Sequence, residues 1–293
     1  MSTVTDDLLE PVQESEKLAF VLSGGGSLGS VQVGCLEVLL QHGIFPDLIV
    51  GTSVGALNGA FLAKDPTLEG VTKLKEIWLS LQPHGPFREG RMRVLLRLLL
   101  GRKYLYANDT LREMVCQFLG DIAFEDLQVP AAMVATDMES GEPVVLHQGS
   151  VELAVLASSA IPGVFPPVQI GGKEYVDGGM MSNCGLEAAW NQGARRMVVI
   201  AAPLAPPDRG VGVLKPLGRA LQVALDRLCQ LEVAWFSHRC PVVVLDPAVP
   251  LGGHTFKDFS KTPFLLERGK TWTEDFLRSD QGMLLRSFSR QAV

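Results

Sequence analysis

Short apolar runs closed by glycine alternate with stretches of helical periodicity through the first sixty residues. Leu18-Ala-Phe-Val-Leu22 contains no polar residue and stops at Gly24-Gly25-Gly26, the pattern of a buried strand entering a tight loop. Leu28, Val31, Cys35, Val38 and Leu39 then recur at helical spacing, and Gly43 follows as a C-cap, which predicts a helix over 28–41. Asp47-Leu-Ile-Val50 reads as a second buried strand. It ends at Gly51-Thr52-Ser53-Val54-Gly55, and Ala56–Ala63 returns to a helical pattern. Strand, helix, strand, helix predicts parallel strands joined by right-handed crossovers.

The same reading continues down the chain. Helices are predicted over 69–81, 110–119 (capped by Asn108-Asp109-Thr110), 151–157, 185–192 and 213–235. Strands are predicted over 129–135, 144–147, 174–176, 196–201 and 241–245. Three prolines in Ile161-Pro-Gly-Val-Phe-Pro-Pro167 exclude a regular element there. With neither repeats nor a low-complexity linker, one α/β domain over 17–293 is the simplest organisation. Residues 1–16 are polar and acidic and read as a flexible N-terminal tail.

Composition removes several classes of function. The 293 residues are 47% hydrophobic and 20% charged, too apolar for a disordered chain. The net charge of −6 argues against a general nucleic-acid binder. No apolar run approaches the roughly 18 residues of a spanning helix. The start has neither the basic end nor the apolar core of an ordinary secretory signal. The expected location is therefore cytoplasmic, with peripheral contact to a membrane left open. The five cysteines (35, 116, 184, 229 and 240) are odd in number and scattered, without a CxxC pair or zinc-ligand spacing. They read as buried free thiols of a reducing compartment. Neither a metal nor a cofactor is expected.

Chemistry concentrates at three glycine-rich turns. In Gly51-x-Ser53-x-Gly55, between a strand and a helix, a sharp turn would present the Ser53 hydroxyl at the positive end of a helix. That makes Ser53 a candidate nucleophile; the plainer alternative is a helix cap. Gly24, Gly25 and Gly26 would let successive backbone N–H groups converge on an anion, as in an oxyanion hole. Gly24-x-Gly26-x-x-Gly29 also matches a dinucleotide fingerprint, but the acidic residue that should end the second strand is missing, and Asp47 stands at that strand's start. A base is needed for a serine nucleophile. Of the five histidines, His42 precedes a helix C-cap, His84 and His147 read as loop and strand-end residues, and neither His238 nor His254, the two late enough in the chain to follow an acid, sits at a clear strand end. Asp177, in Tyr175-Val176-Asp177-Gly178-Gly179, does; it is either a base for Ser53 or an ordinary Asp-Gly turn residue.

The blocks GGGSLG, GTSVG and DGG, in this order, resemble those of the patatin-like phospholipases, and PDLIVGTSVGALNGAFLA, ATDMESGEPVVL and ASSAIPGVFPPV resemble bacterial members. The resemblance runs from about Leu18 to about Ala202. It implies a three-layer α/β/α fold with a mostly parallel central sheet. It further implies a Ser53–Asp177 dyad, an oxyanion hole from the Gly25 and Gly26 backbone with Gly24 shaping the loop, and hydrolysis of lipid acyl esters without a metal. Many members of that family carry Arg or Lys where this chain has Leu28, which puts anion or head-group contacts there in doubt. Asn183 matches a recurring family Asn and is expected to orient the Asp177 loop.

One segment departs from the overall acidity. Between Arg88 and Lys103 six basic residues face a single Glu, interleaved with Met92, Val94 and five leucines. A basic amphipathic stretch of this kind suits the surface of an anionic bilayer. Its position places 83–106 where a lid or cap would sit; the alternative is a plain helix with its leucine face on the core. Aromatic residues flank the stretch only at Phe87, Tyr104 and Tyr106, which disfavours nucleic acid.

Overall fold

A computed structural model describes residues 16–82, 85, 104–203, 214–247, 249 and 258–289. The tail expected over 1–16 and the basic stretch Arg88–Lys103 lie outside these, apart from Glu16.

The predicted alternation is present. Strand β1 (Lys17–Leu22) leads through a 3₁₀ turn at Gly26–Gly29 into α1 (Ser30–Gln41), and β2 (Leu48–Thr52) leads into α2 (Val54–Lys64). Helix α3 (Leu68–Ser80) is capped by Thr67, whose side chain accepts from the Gly70 N–H, and it buries Val71, Leu74 and Trp78 on one face. Next come α4 (Asn108–Leu119), β3 (Ala131–Asp137), β4 (Pro143–Leu146), α5 (Val151–Ser158), β5 (Val168–Ile170) and β6 (Lys173–Asp177). The chain then forms α6 (Leu186–Asn191), β7 (Ala194–Ile200), α7 (Leu214–Ser237), β8 (Val242–Leu245), α8 (Thr262–Arg278) and α9 (Met283–Arg286).

Parallel pairing joins β3, β2, β1, β7 and β8, and β4, β5 and β6 extend the sheet in antiparallel fashion. Side chains of β1 divide the interior into two cores. Leu18, Phe20 and Leu22 pack with α1 to α5, while Ala19 and Val21 pack with Leu186 and Ala189 of α6 and Phe236 of α7. Helices thus cover both faces, and the mostly parallel three-layer α/β/α architecture is present.

Two differences from the sequence reading bear on the site. Helix α8 was not predicted. It packs on α1 so closely that a Cβ on Gly34 would overlap the Leu266 carbonyl, and one on Gly269 would overlap the Val31 carbonyl. That cover explains why α1 is apolar almost all round. The cysteine reading is also corrected: Cys184 and Cys229 form a disulfide, with Cα atoms 5.3 Å apart, while Cys35 and Cys240 are buried free thiols and Cys116 is exposed. The two partners are 45 residues apart in sequence and meet only because α7 packs over the loop after β6, so no local spacing announces them. Among the described residues no helix is long and apolar enough to cross a membrane.

Candidate active site

The site forms where β1, β2 and β6 end. Strand β4 pairs residues 133–136 along one edge of β3. The opposite edge is therefore shared in succession by β2, with Thr52 beside Val134, and by β6, with Asp177 beside Ala135. Two strands running toward each other along one edge bring Ser53 and Asp177 to the same place.

The turn at Ser53 is tight because of its glycines. A Cβ on Gly51 would overlap the Gly55 carbonyl, and one on Gly55 would overlap the Leu22 carbonyl. Ser53 itself has φ 55°, ψ −122°, the one positive φ at a non-glycine position among the described residues. Such a conformation costs on the order of 1–3 kcal/mol and persists only where the surroundings enforce it. Ser53 stands at the N-cap of α2, yet its side chain makes no capping bond. Ser53 lies instead near enough to the Asp177 carboxyl to favour its charged form. The missing capping bond sets aside the helix-cap reading of Ser53.

Asp177 is only 6% exposed. Burial pushes its carboxyl up from 3.8 to about 6, and nearby Ser53 and the Gly179 N–H partly offset this. The Gly179 amide donates to Asp177 Oδ1 at 2.8 Å, so Asp177 also caps its own turn. His42, His147 and His238 are exposed, and His84 and His254 lie outside the described residues.

The glycine loop after β1 lies against the same point. The 3₁₀ turn begins at Gly26, so the amides of Gly25 and Gly26 are the leading N–H groups that a helical turn leaves without internal partners. Gly24 passes close to Ser53: a Cβ there would lie 3.2 Å from the Ser53 Cβ and 2.6 Å from Asn183 Oδ1. Asn183 joins the loops, its carbonyl accepting from the Gly24 N–H at 3.3 Å. Leu28, at the position of the missing family charge, is buried against Val31, Ala202 and Leu265 of α8. Asp47 accepts from the Leu18 N–H at 2.9 Å, at the opposite end of β1 from the glycine loop, so it is not placed to hold a ribose there.

Gly26 and Ser53 line a half-open apolar pocket. Its walls are chiefly Leu57, Trp78, Leu111, Met114, Phe165 and Phe259. None of these was singled out from sequence. The buried stripes of α3 and α4 carried the only signal for Trp78, Leu111 and Met114, and Phe259 belongs to no predicted element. A buried polar chain fixes one wall. Trp78 Nε1 donates to Asn58 Oδ1, and Asn58 Nδ2 donates to Gln32 Oε1. Gln32 Nε2 in turn donates to the carbonyls of Ser23 and Ile200. No group of three metal-ligating side chains occurs among the described residues.

Comparison with known proteins bears on the family and the fold. The chain is 28% identical over 185 residues to mouse patatin-like phospholipase domain-containing protein 7, covering 62% of this chain and 13% of that protein. It is 29% identical over 170 residues to an uncharacterized NTE family protein of Mycobacterium bovis, covering 57% of this chain and 44% of that one. The chain therefore spans less than half the length of either relative. Human GIVD cytosolic phospholipase A2, solved with methyl gamma-linolenyl fluorophosphonate, shares the fold, with a TM-score of 0.51 and 14% identity over 93% of this chain and 59% of that one. The family model for patatin-like phospholipases matches residues 20–190. With more than half its length matched, the chain belongs to the patatin-like phospholipase family.

Proposed function

We propose that the chain hydrolyses acyl esters of lipids, with Ser53 as nucleophile and Asp177 as the general base. The observation that carries this reading is the buried Asp177 carboxyl beside Ser53, which lines an apolar pocket. A carboxyl that titrates at about 6 is largely ionised at neutral pH, yet more basic than a solvated one.

In the first half-reaction the ester's acyl chain lies in the cavity. Asp177 takes the Ser53 proton as Oγ bonds to the carbonyl carbon. The amides of Gly25 and Gly26 receive the resulting oxyanion. Collapse expels the alcohol, which takes the proton back from Asp177, and leaves an acyl-Ser53 ester. In the second half Asp177 deprotonates a water that attacks this ester. The fatty acid departs and Ser53 regains its proton. No step calls on a metal or cofactor. Phospholipase A or esterase activity fits this scheme equally. The basic, leucine-rich stretch Arg88–Lys103 supports approach to an anionic lipid surface as a peripheral protein.

A fluorophosphonate probe and a panel of phospholipids, glycerides and soluble esters test the reading. The wild type should be labelled and turn over at least one class, and Ser53→Ala should do neither. Labelling or turnover that survives Ser53→Ala would overturn it.

A further inference from the structure

Ser53 holds its strained conformation through an amide that α2 cannot use, because an N-cap N–H has no acceptor within its own helix. Ser158, fully buried at the end of α5, supplies the acceptor: the Ser53 N–H donates to Ser158 Oγ at 2.9 Å. The Ser158 hydroxyl in turn donates to the Val134 carbonyl at 2.6 Å. Its hydrogen is committed to Val134, so its lone pairs face Ser53. A hydroxyl can accept from an amide and donate to a carbonyl at once, whereas a methyl can do neither.

Val134 is where β2 and β6 meet along β3. It pairs with Thr52, and Gly178 lies so close to its carbonyl that a Cβ would overlap the oxygen. Two residues beyond Ser158, the Ala160 carbonyl accepts from the Asp177 N–H at 3.0 Å. One short segment thus grips the backbone of both Ser53 and Asp177. Between these two grips Ser159 reaches the cavity, whereas Ser158 is fully buried and outside its lining.

We propose that Ser158 is a positioning residue: by holding the Ser53 amide against the Val134 carbonyl, it aims the Ser53 hydroxyl between Asp177 and the glycine loop. This rests on the reading of Ser53 as nucleophile. Ser158 touches no substrate, so its loss should act on the chemical step and leave substrate binding alone.

The test measures 4-nitrophenyl butyrate hydrolysis and the inactivation rate with a short alkyl fluorophosphonate. The proteins are the wild type, Ser53→Ala, Ser158→Ala, Ser158→Thr and a remote core control, Val243→Ala. Ser158→Ala should lose about 10- to 100-fold in kcat and in inactivation rate, the scale of a misplaced reacting group, with KM little changed. Ser158→Thr, which keeps the hydroxyl, should recover most of the loss. Val243→Ala should lower the melting temperature without lowering kcat. If Ser158→Ala does not fold, Ser158→Cys takes its place, near in size but a weak acceptor, with the same expectation. Wild-type kcat in Ser158→Ala, or in Ser158→Cys where that replaces it, would overturn the proposal, as would a loss that tracks melting temperature equally in the Val243→Ala control. A wild type that the probe does not label at Ser53 would instead refute the underlying nucleophile assignment.

Discussion

Ser53 lies beside the buried Asp177 carboxyl where β2 and β6 meet along β3. Desolvation is the largest influence on that carboxyl, and neighbouring Ser53 and the Gly179 N–H oppose it. The pair is therefore held by burial and backbone register, and its basicity is set by exclusion of water.

Activity should follow ionisation of Asp177. With its carboxyl at about 6, kcat/KM should rise with pH through that region and level off above it. Asp177→Asn should lose at least about 10²-fold in kcat. A pH–rate profile with no acid limb near that value, or an active Asn variant, would contradict the assignment.

The same shift has a consequence for stability. Between 3.8 and about 6 the folded chain binds a proton that the unfolded chain releases. Ionisation of Asp177 thus opposes folding, fully above the folded value and not at all below the unfolded one. Asp177→Asn should be more stable than wild type near neutral pH, by on the order of 2–3 kcal/mol. The difference should vanish as the pH falls toward about 4, and denaturant melts at both pH values check this.

Met114 lines the cavity and is buried. Met114→Trp should fill space that a long acyl chain would occupy. We expect kcat/KM for long-chain esters to fall by about 10-fold or more while butyrate esters are little affected. Chain-length profiles of the two proteins decide it, and parallel losses for all chain lengths would argue against an acyl-binding cavity.

Gly269 faces the α1 backbone with no room for a Cβ. Helix propensity alone would make Gly269→Ala stabilising by up to about 1 kcal/mol. Overpacking of about 1–3 kcal/mol should outweigh it. A lowered melting temperature is therefore expected, and an increase would show that α1 and α8 can separate without penalty.

Thiol titration tests the disulfide. Denatured without reductant, the chain should present three reactive thiols, Cys35, Cys116 and Cys240, and five after reduction. Five in both cases would show that Cys184 and Cys229 are unpaired.

The alternation of apolar runs and helical periodicity, closed by glycine, was sufficient for the α/β class, because local burial patterns reflect the faces that strands and helices present. Glycine at 24, 25, 51 and 55 marked the site loops for a similar reason, since close approach of neighbouring atoms excludes side chains wherever it occurs, and Gly26 did so through its positive φ. Whether Ser53 caps α2 or faces Asp177 was decided by tertiary structure, since capping and orientation use the same residue type at the same position. The cavity, the Ser158 contact and the Cys184–Cys229 bond join segments from 45 to more than 200 residues apart. Nothing local encodes such distances. They follow from the shared edge of β3 and from the packing of α7 and α8 on opposite faces of the sheet.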